Sequence, residues 1–201
     1  KETLPGGAAK QFEFAGDLGT FSLAGGDSIT ADGLLPGTYD VSELLPAGWE
    51  LAAISCTDPD GGTTTDLVTG TVSLDVDDGE EVVCTFLNTA RGSVTIAKET
   101  VPAEAGGQQF DFMGDLGTFA LTSGESTTTD ELGPGTYTVA EALPAGWYVS
   151  GISCSDPDGG TSVDLATATA TIDLDPGEQI TCTFLNTARG SVTIAKETVP
   201  A

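Results

Sequence analysis

The sequence predicts an all-β protein made of tandem two-sheet antiparallel β-sandwiches with Greek-key connections, and three observations carry that reading. Thr, Val, Gly and Pro are abundant while hydrophobic residues make up 39% of the 201 residues, a balance that suits short strands joined by turns and disfavours long helices. Turn clusters recur at short intervals along the whole chain. The chain also contains a copy of itself: CTFLNTARGSVTIAKETVPA at 84–103 returns at 182–201.

The repeat sets the domain boundaries. FEFAGDLGTFSL at 12–23 matches FDFMGDLGTFAL at 110–121, and LPGTYDVSELLPAGW at 35–49 matches GPGTYTVAEALPAGW at 133–147. One sandwich is expected over residues 1–89, lacking most of its first strand, a second over 92–187, and the first strand of a further repeat at 190–201. Only Ala90-Arg91 and Ala188-Arg189 join them, too short for a flexible spacer.

Within the second repeat the alternation predicts strands at 92–99, 108–113, 117–121, 126–130, 135–142, 148–155, 166–174 and 179–187. Gly114 to Gly117, Pro134-Gly135, Pro144 to Gly146, Asp156 to Gly160 and Asp175 to Gly177 punctuate them. Seven or eight short strands in a repeat of this length is the size of a two-sheet sandwich.

Residues two apart on a strand share a face, and that rule exposes an anomaly. Val94 and Ile96 lead along the core row to Lys98; Tyr137 and Val139 lead to Glu141; Ile180, Cys182 and Phe184 lead to Asn186. In the first repeat Tyr39 and Val41 lead to Glu43, and Val82, Cys84 and Phe86 lead to Asn88. The chain has four lysines, and Lys1, Lys98 and Lys196 fall at one repeat position. Solubility alone gives an acidic chain little reason to reinstate a lysine there.

The patterns VTIAKET (94–100), PGTYTVAEALPAGW (134–147) and CTFLNT (182–187) resemble the B-repeat domains of bacterial collagen adhesins and pilins, also called Cna-B type or prealbumin-like domains. The likeness covers both repeats almost end to end and implies an immunoglobulin-like or prealbumin-like sandwich. It further implies an intramolecular isopeptide bond between the first-strand Lys and the last-strand Asn, assisted by the central acidic residue. By position these are Lys98, Asn186 and Glu141 in one repeat and Lys1, Asn88 and Glu43 in the other. Burial favours the neutral amine and the neutral acid, so the amine can attack the Asn carbonyl while the acid polarises it, releasing ammonia. The same three groups would also serve as a buried ion pair with a hydrogen-bonding Asn, or sit at wet strand ends.

A cysteine pair in each repeat departs from the family pattern. Cys154 shares a face with Ile152, and Cys182 lies between Ile180 and Phe184, so both are expected to point inward; Cys56 and Cys84 match them. The expected result is two disulfides, Cys56–Cys84 and Cys154–Cys182, with buried free thiols as the alternative. The Asp58-Pro59-Asp60-Gly61-Gly62 and Asp156-Pro157-Asp158-Gly159-Gly160 loops offer a weak calcium pattern, Asp58, Asp60, Asp156 and Asp158 with Asp66 or Asp164 as helpers, but these residues are also ordinary turn formers and no metal is expected. Trp49 and Trp147 follow Pro-x-Gly turns and are expected to cap the core rather than to bind sugar.

A charge of −25 repels phosphate backbones and anionic headgroups, which argues against nucleic acid and membrane surfaces as partners. There is no histidine, nucleophile motif or phosphate-cradling loop, so neither an enzyme nor a cofactor is expected. The expected role is a structural repeat of an extracellular fibre or cell-surface stalk, contacting neighbouring repeats or subunits head to tail through residues 190–201. An adhesin repeat that binds a host or matrix ligand is the alternative.

Overall fold

The computed structural model describes residues 1–103 and 107–197, so the last four residues of the expected 190–201 strand lie outside the described part. The chain forms two compact units, one of Lys1–Ser93, Asp130–Gly135 and Leu174–Gln179, the other of the remaining described residues. No helix is long and apolar enough to cross a membrane among the described residues.

The first repeat contains β1 (Glu2–Leu4), β2 (Phe12–Gly16), β3 (Gly19–Leu23), β4 (Gly37–Leu44), β5 (Trp49–Thr57), β6 (Thr64–Asp66), β7 (Thr71–Val76) and β8 (Val83–Ala90). Their two sheets run β1-β8-β5 and β3-β2-β4-β7-β6. The second repeat contains β9 (Gly92–Val101), β10 (Phe110–Gly114), β11 (Phe119–Leu121), β12 (Ser126–Leu132), β13 (Gly135–Ala142), β14 (Trp147–Ser155), β15 (Ser162–Asp164), β16 (Thr169–Leu174) and β17 (Gln179–Ala188). Its sheets run β12-β9-β17-β14 and β11-β10-β13-β16-β15.

Alternation places the apolar rows inside. In β9, Val94, Ile96 and Lys98 are all fully buried. Across the two sheets of each repeat Phe meets Phe edge to face, Phe14 with Phe86 at 5.1 Å and Phe112 with Phe184 at 5.2 Å between ring centroids. Each such ring contributes roughly 1.5 to 3 kcal/mol by burial, and the edge-to-face contact adds about 0.5 to 1.5 kcal/mol. Both repeats carry the same β-bulge, between Leu51 and Ala53 and between Val149 and Gly151.

Three features differ from the pattern-based expectation. The strand expected over 166–174 begins at Thr169, because residues 165–168 turn, with Ala168 at φ 53°. A short strand, β15, lies at 162–164 beside β16, in a stretch between 155 and 166 where no strand was expected. Lastly, β1 pairs with β8 in parallel, Thr3 opposite Asn88, within sandwiches expected to be antiparallel. Strand direction leaves no trace in side-chain alternation, which has the same period either way.

Candidate functional site

The anomalous polar residues converge. β9 carries Lys98 to the interior, β13 carries Glu141, and β17 carries Asn186; all three are buried. Lys98 Nζ lies 3.4 Å from Glu141 Oε1, and Asn186 Nδ2 donates to that same Oε1 at 2.7 Å. The ammonium also donates to the carbonyls of Phe184 at 2.9 Å and Glu99 at 3.0 Å. In the first repeat Lys1 Nζ lies 3.1 Å from Glu43 Oε1, and Asn88 Nδ2 donates to Oε1 at 3.1 Å. The Glu141 backbone is fixed by its N–H donating to the Ala168 carbonyl, as Glu43 donates to Gly70, so each acid stands on a strand anchored by the turn before β16 or β7.

Aromatic rings seal the cluster. Lys98 Nζ sits 4.4 Å from the centroid of Phe110, whose edge meets Trp147 at 5.2 Å, and Lys1 sits 4.1 Å from Phe12, which meets Trp49 at 5.1 Å. Both tryptophans therefore pack on the ring that covers the lysine. This role for Phe12 and Phe110 was not read from the sequence; their position in the F-x-F rows just before the Gly-Asp-Leu-Gly turn, present in both repeats, was the available signal.

Burial shapes the chemistry. It holds the amines of Lys98 and Lys1 below their ordinary pKa and pushes the carboxyls of Glu141 and Glu43 above theirs; the attraction within each pair opposes both shifts without cancelling them. Glu141 Oε2 and Asn186 Oδ1 have no hydrogen-bond partner, and neither do Glu43 Oε2 and Asn88 Oδ1. An unpaired buried acceptor costs about 1 to 3 kcal/mol. Protonation of the carboxyl turns one of its two oxygens from an acceptor into a donor, which lowers the number of buried acceptors without a partner. The arrangement therefore holds, side by side, an amine biased to neutrality, a carboxyl biased to protonation and a primary amide.

The family of such domains is decided by the whole length of both repeats. A family model described as a prealbumin-like fold domain matches residues 1–90 and again 94–188. The chain belongs to the prealbumin-like domain family. No curated protein matches it. Among solved structures it is similar to the major pilin from Streptococcus pyogenes, at 13% identity over 94% of this chain and 96% of that one, with a TM-score of 0.38. It is also similar to a bacterial adhesin from Mobiluncus mulieris containing intramolecular disulfide, isopeptide and ester bond cross-links, at 13% identity over 78% of this chain and 61% of that one, TM-score 0.41. The pilus-presented adhesin Spy0125 (Cpa) shares 16% identity over 61% of this chain with a TM-score of 0.37, and the prealbumin-like chain spans 35% of its length.

The cysteines form the two disulfides Cys56–Cys84 and Cys154–Cys182. Each links directly opposed residues, on β5 and β8 and on β14 and β17. The acidic loops resolve differently. Asp58 accepts from the N–H groups of Gly61, Gly62 and Thr63, and Asp156 from Asp158, Gly159 and Thr161, so these carboxylates close their own turns and their pKa values fall below the ordinary range. Asp66 and Asp164 serve separate turns through Val68 and Thr69 and through Ala166 and Thr167. Glu80 lies beside Asp58 and Asp60, and Glu178 beside Asp156 and Asp158, groupings that sequence spacing does not reveal.

Proposed function

We propose that this chain is a structural repeat of an extracellular fibre or cell-surface stalk, stiffened inside each domain by a disulfide and by a Lys–Asn isopeptide bond. The observation that carries it is the buried Lys–Glu–Asn cluster, built twice at matching positions of the two repeats. In the second repeat the neutral Lys98 amine attacks Asn186 Cγ while the protonated Glu141 hydrogen-bonds the developing oxyanion. A C–N bond forms, the Asn C–N bond breaks, and the departing NH₂ leaves as ammonia with a proton relayed from the amine by Glu141. The carboxyl ends as it began. Each domain reacts once, so this is maturation and no turnover follows.

The location of the bond supports a mechanical role. Lys98 lies on the first strand and Asn186 on the last, the two strands through which a pull along the chain enters and leaves the domain. A covalent link between them carries tension directly and shields everything folded between them. Disulfides support an oxidising, extracytoplasmic setting. Two similar copies in tandem suit a spacer that is duplicated freely, and residues 190–201 are the segment through which the next repeat or subunit is met head to tail.

Intact mass of the folded protein tests the reading. One ammonia is lost per reacted domain, and Glu141→Ala restores the full mass of the second; a wild-type chain with every ammonia retained rules the bond out.

A further inference from the structure

Each buried acid is anchored by a turn at the surface. The N–H of Glu141 donates to the carbonyl of Ala168 at 3.0 Å, and that of Glu43 to the carbonyl of Gly70 at 2.9 Å. In the first repeat the β4–β7 ladder ends with Ser42 opposite Thr71, so the bond to Gly70 continues it into the turn before β7. Glu141 is likewise next to last in β13, and Ala168 is the last residue of the turn before β16. Ala168 and Gly70 are both buried, with φ of 53° and 67°. Glycine takes this left-handed conformation freely, whereas alanine persists in it only where its surroundings hold it there.

One exposed aspartate builds each turn. Asp164, the last residue of β15, accepts the N–H of Ala166 through Oδ1 at 2.8 Å and the hydroxyl of Thr167 through Oδ2 at 2.9 Å. Asp66, the last residue of β6, accepts the N–H groups of Val68 at 2.9 Å and Thr69 at 3.3 Å. Both turns read Asp-Leu-x-Thr, at 66–69 and 164–167. A carboxylate that grips the two residues before the left-handed one fixes the direction in which that residue's carbonyl leaves the turn. We propose that Asp164 and Asp66 are positioning residues for the Lys–Asn cross-link, each setting the turn whose last carbonyl anchors the acid of its own repeat. This rests on the cross-linking reading above and extends it to a residue at the surface. Glu141 must meet the amine and the amide through one oxygen, and its side chain magnifies any rotation of the backbone that carries it. A displacement of about 1 Å at reacting groups is worth on the order of 100-fold in rate. Asp164 acts through Ala168 and reaches the cluster by way of the Glu141 backbone.

Ammonia loss from the second repeat, timed by intact mass and peptide mapping after cell-free synthesis of the full chain, tests this. Asp164→Ala should slow it about tenfold or more while the first repeat of the same molecules keeps its rate. Asp164→Asn, which keeps an acceptor for the Ala166 N–H, should recover most of the rate. Hydrogen exchange separates positioning from a general loss of stability. In the unreactive Asn186→Ala chain, Asp164→Ala should speed exchange of the Glu141 amide about tenfold or more, while amides in the middle of β17 keep their protection. An Asp164→Ala chain that loses ammonia at the wild-type rate, an Asp164→Asn chain slowed as much as Asp164→Ala, or a Glu141 amide as protected as before overturns the proposal while leaving the cross-link standing. A wild-type chain that keeps every ammonia overturns the cross-link itself, and this role in it.

Discussion

At the residue scale, Glu141 holds the second repeat's cluster together, touching both the amine and the amide through one oxygen. Replacing it with Ala leaves Lys98 buried with carbonyl acceptors alone. Breaking a buried pair costs roughly 3 to 5 kcal/mol, so Glu141→Ala should lower the denaturation midpoint of the second repeat as well as abolish its ammonia loss. The pH response separates the carboxyl from the rest. In an Asn186→Ala chain, which cannot form the bond, the Glu141 pKa is raised in the folded state by burial, so the folded form holds its proton more tightly than the unfolded form. That contribution to stability is fully present below the unfolded value near 4.5 and is lost as pH rises through the folded value. Comparing Asn186→Ala with Asn186→Ala/Glu141→Gln by thermal melts, the difference in stability should therefore move in favour of the Glu-containing chain as pH is lowered from 7 toward 4.5. A difference that is flat with pH would contradict the assigned protonation.

At the scale of elements, the sheets depend on two devices besides the core. The disulfide Cys154–Cys182 ties β14 to β17 over a sequence separation of 28. In the chain-entropy picture, closing a loop of that size contributes about 3 to 4 kcal/mol, so the Cys154→Ala/Cys182→Ala chain should lose about that much unfolding free energy in a denaturant titration, and added reductant should have no further effect on its second repeat. The other device is Gly114 at the end of β10. Its φ is +146°, and a Cβ there would lie 2.2 Å from the backbone oxygen of Thr138 on β13. Gly114→Ala forces the two strands apart at the point where Asp115 N–H donates to Thr138, and a loss of about 2 to 4 kcal/mol is expected, measured by the same denaturant titration.

For the whole molecule, the consequence of joining first and last strands is mechanical. Under single-molecule extension, a reacted second repeat should give no unfolding step, because the chain between Lys98 and Asn186 lies outside the load path. Glu141→Ala should restore one step per molecule, shortened in oxidising buffer by the loop held between Cys154 and Cys182. A wild-type chain that extends as fully as the variant would remove the mechanical role even if mass spectrometry found the bond.

Much of this was legible in the residues. Two-residue alternation in VTIAK, YTVAE and TCTFLN is enough to put Lys98, Glu141 and Asn186 on core-facing rows, and self-comparison of the chain is enough to reveal two repeats and the start of another. Local pattern determines which face a side chain takes, because the pleat has a fixed period, and which cysteines face inward follows by the same rule. Tertiary structure alone decided what meets what: that β1 runs parallel to β8, that one carboxylate oxygen faces both partners while the other is left unpaired, that Phe110 and Trp147 seal the lysine, and that Glu80 and Glu178 reach the acidic loops. These depend on strand order, direction and sheet spacing, which arise from the packing of distant segments against one another and have no signature within any one strand.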